Sequence, residues 1–481
     1  MSHPTNSEPP TLVDGKITPM PALAAYIARA ISIDLPDEVI EKAKFHLLDT
    51  LASMVSGSRL LAGRQAIAFV KAQGAAAPQA LLAGTNLRST AINAALANGM
   101  FAHADETDDS HAESLTHPGC GIVPAVLAAA ELYGSSGTAM LRAMTLGYDV
   151  CCRLTLSLDP YPFRAAGHST HTFGPTFGAA AAAGALAGVD AVQARYLMSY
   201  AAQQASGVSC WMRDKDHVEK AFDFGGMAAR NGVSAAMMVA LGFTGVEDVF
   251  SGERCFYDAY GVDPDRGALG RELGSRYEIL ATSIKRWTVG SPIQAPLDAL
   301  DSLLRRHRLK AADVRAINVA IPHHSLTIVD NREMPEICLQ HLLATMLVDG
   351  RMGFNSAHDR ARMQDPEVLA VRAGITLRGD DQLSRAMPSR QGIVELLLNS
   401  GETLREHTQA VRGTPANPMT RQELQEKSLE LLVPVLGQEQ SSLLCAAVWQ
   451  LEQALDVKQL VHLLQGIPST ASCATSAATS T

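Results

Sequence analysis

Between His103 and His117, fifteen residues hold five acids and three histidines: His103, Asp105, Glu106, Asp108, Asp109, His111, Glu113 and His117. Burying such density is costly, because each unpaired charge must be compensated, so a solvated surface loop is one reading. Metal binding is a second, since Asp, Glu and His are hard or borderline ligands, although the segment has no HxxxH or HxH spacing. A general acid/base cluster set against a helix is the third, for the apolar run Ile122–Leu127 follows at once.

Three further segments carry groups of matching chemistry. Gly167–Pro175 places His168 and His171 just ahead of an Ala-rich run, where the free N–H groups of a helix start suit an anion. Lys220 precedes the Gly-rich entry Phe224-Gly225-Gly226 to another helical pattern, and Lys285 stands in Lys285-Arg286-Trp287 where the pattern changes type. Taken singly, a loop histidine is more often structural and a lysine more often a solvated charge. Together the segments offer cations to neutralise several carboxylates, histidines to move protons and a carboxylate to position or protonate.

The elements that must position these groups are mostly helices. From about Pro19 to Glu272 apolar residues recur at three and four positions. Pro36, Asp37 and Glu38 fit a first turn, followed by Val39, Ala43, Leu47 and Leu51 at i+4 spacing. Ala-rich runs at Ala91–Ala97, Ala125–Ala130 and Ala179–Ala187 predict helices in close layers. From about residue 282 to 412 the signal becomes α+β: Arg315–Ile321 alternates as a strand, and Val394–Leu398, the turn Asn399–Glu402 and Thr403–Thr408 read as a hairpin. Thr420-Arg421-Gln422-Glu423 has the form of a capping box, opening helical pattern that runs to about Gln465 and could rejoin the first helical part. Residues 1–17 and 467–481 are expected to be disordered tails.

Composition narrows the function classes. The chain has 481 residues, 47% hydrophobic and 19% charged, enough for two or three globular domains. A net charge of −9 without any Lys/Arg run argues against nucleic acid. The N-terminus lacks a basic segment leading into an apolar run, and Phe173–Val189 is too short and too rich in Ala and Gly to span a bilayer, so a cytoplasmic protein without a membrane partner is expected. The eight cysteines show no ligand spacing and are expected to be reduced core residues, with no disulfide framework and no structural zinc. No GxGxxG follows a strand, and neither GxxxxGK[ST] nor GxSxG occurs, so dinucleotide, nucleotide and α/β-hydrolase readings lack their marks.

Read in order, several motifs resemble those of the MmgE/PrpD family, which includes 2-methylcitrate dehydratases, cis-aconitate decarboxylases and iminodisuccinate epimerases. They are Leu47-Leu48-Asp49-Thr50-Leu51, Asn98-Gly99, the acidic cluster ending in His117-Pro118-Gly119, Ala228-Ala229-Arg230-Asn231-Gly232, Gly242-Phe243-Thr244-Gly245, Gln340-His341 before Asp349-Gly350, and Gly413–Met419. The resemblance covers nearly the whole chain. It implies a mainly α fold: a large helical domain built from both chain ends, here 18–281 and 413–466, with a smaller inserted α+β lid domain, 282–412. It also implies a homodimer with a cleft between the domains and no metal or organic cofactor. By motif it carries catalytic roles to His117, His168, Glu106, Lys220 and Lys285, and substrate contact to Ser110. Asp108, Asp109, His103 and His111, in the same cluster, are expected to bind substrate as well. Two departures bear on the subfamily. The segment His323–Arg332 lacks a Tyr that some decarboxylases place after the first lid strand, and Met334–His341 replaces the Asp-Arg-Asp-His-type sequence of many 2-methylcitrate dehydratases.

The expected chemistry is an elimination or decarboxylation of a small di- or tricarboxylate through a carbanion or enolate. Lys220 and Lys285 would neutralise carboxylates, and one of His117 and His168 would move the proton at carbon. The other, helped by Glu106, would orient substrate or protonate a leaving hydroxyl. An epimerase needs the same groups and differs only in the fate of the intermediate. A non-catalytic small-molecule binding protein that kept the fold is the third reading.

Overall fold

The computed structural model describes residues 11–13, 16–387 and 389–467. It is mostly helical with a small sheet. Within the N-terminal stretch expected as a tail, strands β1 (Thr11–Val13) and β2 (Lys16–Thr18) pair antiparallel. The end of the ribbon is tied down, because the Thr18 hydroxyl donates to Asp248 Oδ2 at 2.6 Å. Residues 1–10, 14, 15 and 468–481 of the two expected tails lie outside the described residues.

Helix α1 (Asp37–Gly57) starts after Pro36 with Asp37 and Glu38 in its first turn, and Val39, Ala43, Leu47 and Leu51 are all fully buried, as their spacing predicts. The short strands β3 (Ala80–Leu81) and β4 (Arg88–Ser89) lead into α2 (Ala91–Ala102). Then come α3 (Pro118–Tyr133), α4 (Gly137–Ser157), α5 (Thr170–Leu186) and α6 (Met227–Ala240). Helix α5 sits among α3, α4 and α6, and every one of its residues is buried. A helix that is apolar on all sides has no face to give to water, so this one forms the middle of the stack. Close approach rests on small residues: a Cβ on Gly178 of α5 would collide with the Gly147 carbonyl of α4.

Helical pattern was expected as far as Glu272, but from Leu241 to Ala281 only short turns form, among them Phe256–Tyr260 and Ala268–Gly270. The reason is breaker density: Gly242, Gly245, Gly252, Gly261, Pro264, Gly267, Gly270 and Gly274 interrupt any longer run.

The sheet-bearing stretch contains α7 (Gln294–His307) and α8 (Leu339–Asp349), with strands β5 (Val314–Pro322), β6 (Ile375–Asp380), β7 (Gly392–Leu398) and β8 (Thr403–Thr408). Their order is β6-β5-β7-β8, with β5 parallel to β6 and antiparallel to β7. Strands β7 and β8 form the hairpin read from the sequence, Leu397 opposite Thr403. Ile317, Val319 and Ile321 of β5 and Val394 and Leu396 of β7 bury against Leu297, Leu300, Leu342 and Leu343 of the two helices. Buried apolar side chains accordingly collect in two large clusters. One spans residues 287–404; the other joins residues 20–284 to residues 419–464.

The second return of the chain is α9 (Arg421–Trp449), opened by a capping box between Thr420 and Glu423 and broken at Gly437, whose φ is 73°. By length and apolar content it alone among the described helices could cross a membrane. It packs on α1, with Leu424, Leu431, Leu432 and Leu444 in the core. Its Lys427 reaches Asp49 Oδ1 of α1 at 2.6 Å and the Thr107 carbonyl at 3.3 Å, tying α9 to the acidic segment. Both side chains are buried, and burial pushes the Asp49 carboxyl up to about 6 despite the lysine. Breaking such a pair from one side strands a charge. Lys427→Met is therefore expected to lower stability by about 3 kcal/mol, the low end of the usual range because Asp49 can escape by protonation, as read from the urea midpoint.

Candidate active site

The acidic segment is a buried connection between helices: His103 caps the C-terminus of α2 and His117 is the N-cap of α3. His103, Asp105, Thr107, Asp108 and Asp109 have no exposed surface, which removes the reading as a solvated loop. Its backbone is bent to fit. Glu106 and Leu115 adopt left-handed φ values of 63° and 52°, a conformation that non-glycine residues keep only where surroundings enforce it.

Compensation for this charge is local. Asp108 accepts from His103 Nδ1 at 2.9 Å on one oxygen and from His117 Nδ1 at 3.1 Å on the other, with Lys285 Nζ 3.6 Å away. Burial alone would raise its carboxyl, but His103, His117 and Lys285 hold it well below the usual range. With Nδ1–H committed to the carboxylate, each imidazole keeps a lone pair on Nε2. Burial pushes both histidines below their ordinary value, so the neutral form prevails near neutrality. Asp109 is occupied in the other direction: it accepts from His46 Nδ1 and the Tyr148 hydroxyl at 2.6 Å each, and from the Gly119 N–H at 2.9 Å. That last bond fixes the first turn of α3, hence the position of His117.

Lys220 is set by an unusual helix entry. The turn Val218–Ala221 runs through a turn of π-helix, Phe222–Gly226, into α6. Such turns widen a helix and recur at functional sites. Gly225 permits it, since a Cβ there would collide with the Gly99 carbonyl of α2. The Phe224 ring is thereby inserted between two imidazoles, stacked on His103 at 4.0 Å and on His171 at 3.7 Å. Lys220 Nζ pairs with Glu106 Oε1 and lies 5.1 Å from the Phe224 ring and 5.4 Å from that of Trp211. Burial, followed by the nearby Lys285 charge, pushes its ammonium down to about 7. Lys285 is itself buried, donates to the Glu106 carbonyl at 2.5 Å and is lowered by burial.

These groups border a cavity of about 110 Å³ between the helical body and the sheet-bearing stretch. Of the residues expected from sequence, Glu106, Ser110, His111, His117 and Lys220 line it. Lys285 faces a second, adjoining cavity rather than this one. His168, expected among the catalytic residues, does not line this cavity. Its ring stacks on Phe163 at 4.6 Å and meets Phe173 and Tyr260 edge-on, away from the cavity, while His171, one turn further along, lines it. Burial and the neighbouring His117 push His171 well below its ordinary value. Asp108, Asp109 and His103, expected to contact substrate, are fully buried and lie outside the lining of this cavity. Three groups were missed altogether. Arg164, from the short helix Pro160–Ala165, and Arg332 and Arg390, from two loops, line the cavity, and no motif marks them in the sequence.

Two sets among the described residues bring three ligand-type atoms within 4.8 Å of one another: His103, Glu106 and His217, and His103, Asp108 and Cys120. Neither fits a divalent cation. Glu106 is taken by Lys220, the Asp108 oxygens by two histidines, and burial, then Asp108, raises the Cys120 thiol well above its ordinary value. What remains is a site in which one lysine and three arginines face the neutral His117 and His171, with His111, held up to about 10 against its burial by Cys152 and Glu278, as a further cation. It suits an anion with several carboxylates and proton transfer at its carbon.

Comparison with known proteins finds relatives along most of the chain. The cis-aconitate decarboxylase-like protein oryM of Aspergillus oryzae is 25% identical over 92% of this chain and 96% of its own length. Cis-aconitate decarboxylase of Aspergillus terreus is 24% identical over 90% of this chain and 92% of its own. The human cis-aconitate decarboxylase is 24% identical over 90% and 91%. The MmgE/PrpD N-terminal domain matches residues 21–267 and the C-terminal domain residues 287–451, and with most of its length so matched the chain belongs to the MmgE/PrpD family.

Proposed function

We propose that this protein is a cofactor-independent lyase that removes carbon dioxide or water from a small di- or tricarboxylate through a carbanion held by fixed cations. The observation that carries the proposal is the cavity itself, where Lys220, Arg164, Arg332 and Arg390 converge opposite His117. In decarboxylation the C–CO2 bond breaks, its electron pair stays on carbon, and a protonated His117 Nε2 returns a proton there. In dehydration neutral Nε2 removes the carbon-bound proton, and the leaving hydroxyl takes one from the acid partner, Glu106 or Lys220. The names of the relatives support decarboxylation. The lowered His117 supports proton abstraction, the first step of dehydration and also of epimerisation. The sheet-bearing stretch would act as the lid of the cavity. Exposed Leu241, Phe243 and Val246 support the homodimer, checked by light scattering.

The test is to incubate the protein with cis-aconitate, 2-methylcitrate, citrate and iminodisuccinate separately, following each by NMR in D2O. Loss of carbon dioxide or water from one supports the lyase, and deuterium exchange without net loss replaces it with the epimerase. Silence and absence of binding with all four overturn it.

A pH dependence follows from Lys220. Its ammonium form, the one that attracts a carboxylate, is present below about 7 and lost above it. KM is therefore expected to rise by up to about tenfold per pH unit above that point. The check is a KM profile from pH 6 to 9 at constant ionic strength, in which Lys220→Met should lose this inflection.

A further inference from the structure

Beside the charged cavity lies a second one, of about 370 Å³, that no step above uses. The two share Ser110, Ser291 and Arg390 as a common wall. Away from that wall Ala112, Ala281, Ile284, Val411, Pro415 and Ala416 form an apolar strip through the lining, bordered by Glu113, Lys285 and Arg412. The mouth reaches solvent, where Ala281, Pro415 and Ala416 are exposed. Arg390 stands at the junction with its Nε buried and without a partner, and burial followed by the Arg164 charge pushes its guanidinium down to about 10. A half-buried guanidinium whose buried Nε has no partner calls for an anion beside it.

We propose that the second cavity holds an aliphatic chain carried by the acid whose carboxylates occupy the first, Arg390 gripping the carboxylate next to the branching carbon. This rests on the polycarboxylate reading above and extends it to alkyl-substituted acids. Space supports it: a dry cavity of about 150 Å³ accepts benzene, so this one has room for a chain of roughly six to ten carbons.

The test uses acids that need no turnover. Affinities of tricarballylate, succinate and 2-alkylsuccinates with two, four, six and eight chain carbons are measured by calorimetry on the full chain. The expected result is binding of tricarballylate, and affinity for the alkylsuccinates rising about three- to fourfold per buried methylene up to at least six carbons. Ala281→Trp and, separately, Ala416→Trp, both at exposed positions, should abolish the rise. Affinity that is flat or falls with chain length while tricarballylate binds overturns the alkyl proposal alone. Failure of every acid to bind overturns both readings. A rise that survives both tryptophans places the chain elsewhere and also overturns the proposal.

Discussion

Lys220→Met is expected to lower kcat/KM for the accepted acid by about 10³-fold, a loss of about 4 kcal/mol in transition-state stabilisation, with the fold retained. The side chain is nearly isosteric, so packing between Trp211 and Phe224 survives, while the charge that faces the cavity is removed. A carbanion flanked by carboxylates concentrates negative charge, and a fixed ammonium largely buried beside it is less screened than one in water. Both kinetic parameters should suffer, because the cation meets the substrate carboxylate before the reaction and the developing charge during it. Glu106 also loses its partner, which makes far-UV circular dichroism and the melting temperature necessary controls. Lys220→Arg sharpens the test: a planar guanidinium cannot occupy the same point between two rings, so restored charge without restored geometry should recover less than a tenth of the activity. Wild-type kinetics in Lys220→Met, with the fold intact, would remove Lys220 from the mechanism.

How far this site could be read in advance depended on whether its signals were local. Val39, Ala43, Leu47 and Leu51 announced their helix because burial on one face repeats along a contiguous segment, and the hairpin after Val394 did so through its turn. The Thr420–Glu423 capping box was legible for the same reason. The acidic segment betrayed itself by density. Its internal division did not: whether Asp108 faces ligand or histidine depends on packing between α2, α3 and the π-turn, distant in sequence. The placing of His168 and His171 has a similar origin, since a shift of three residues at a helix start decides which ring borders the cavity and which joins Phe163 and Tyr260. Arg164, Arg332 and Arg390 were beyond reach. Each lies in an ordinary stretch, and only the closure of the sheet-bearing stretch onto the helices makes them neighbours.

Asp108→Asn is expected to reduce kcat by about 10³- to 10⁴-fold while KM stays within about threefold, the pattern of a group that acts through another. The carboxylate serves two imidazoles at once, His103 at 2.9 Å and His117 at 3.1 Å. An amide has one acceptor oxygen and a donor in place of the other. Whichever way the amide turns, one histidine meets an N–H, must present a bare Nδ1, and carries its proton on Nε2. For His117 that tautomer blocks proton abstraction at the atom nearest the cavity. Loss of the negative charge also removes support for the imidazolium formed in the reaction. Since Asp108 is sealed from the cavity, substrate affinity has no reason to fall, and its rival role as a substrate contact predicts the reverse, a raised KM with kcat largely kept. The two kinetic constants thus separate a residue that sets the state of His117 from one that touches the acid, and a pH profile adds a second discriminator. Without the carboxylate to sustain its protonated form, the titration of His117 should move further down, shifting the acid limb of kcat to lower pH in the residual activity.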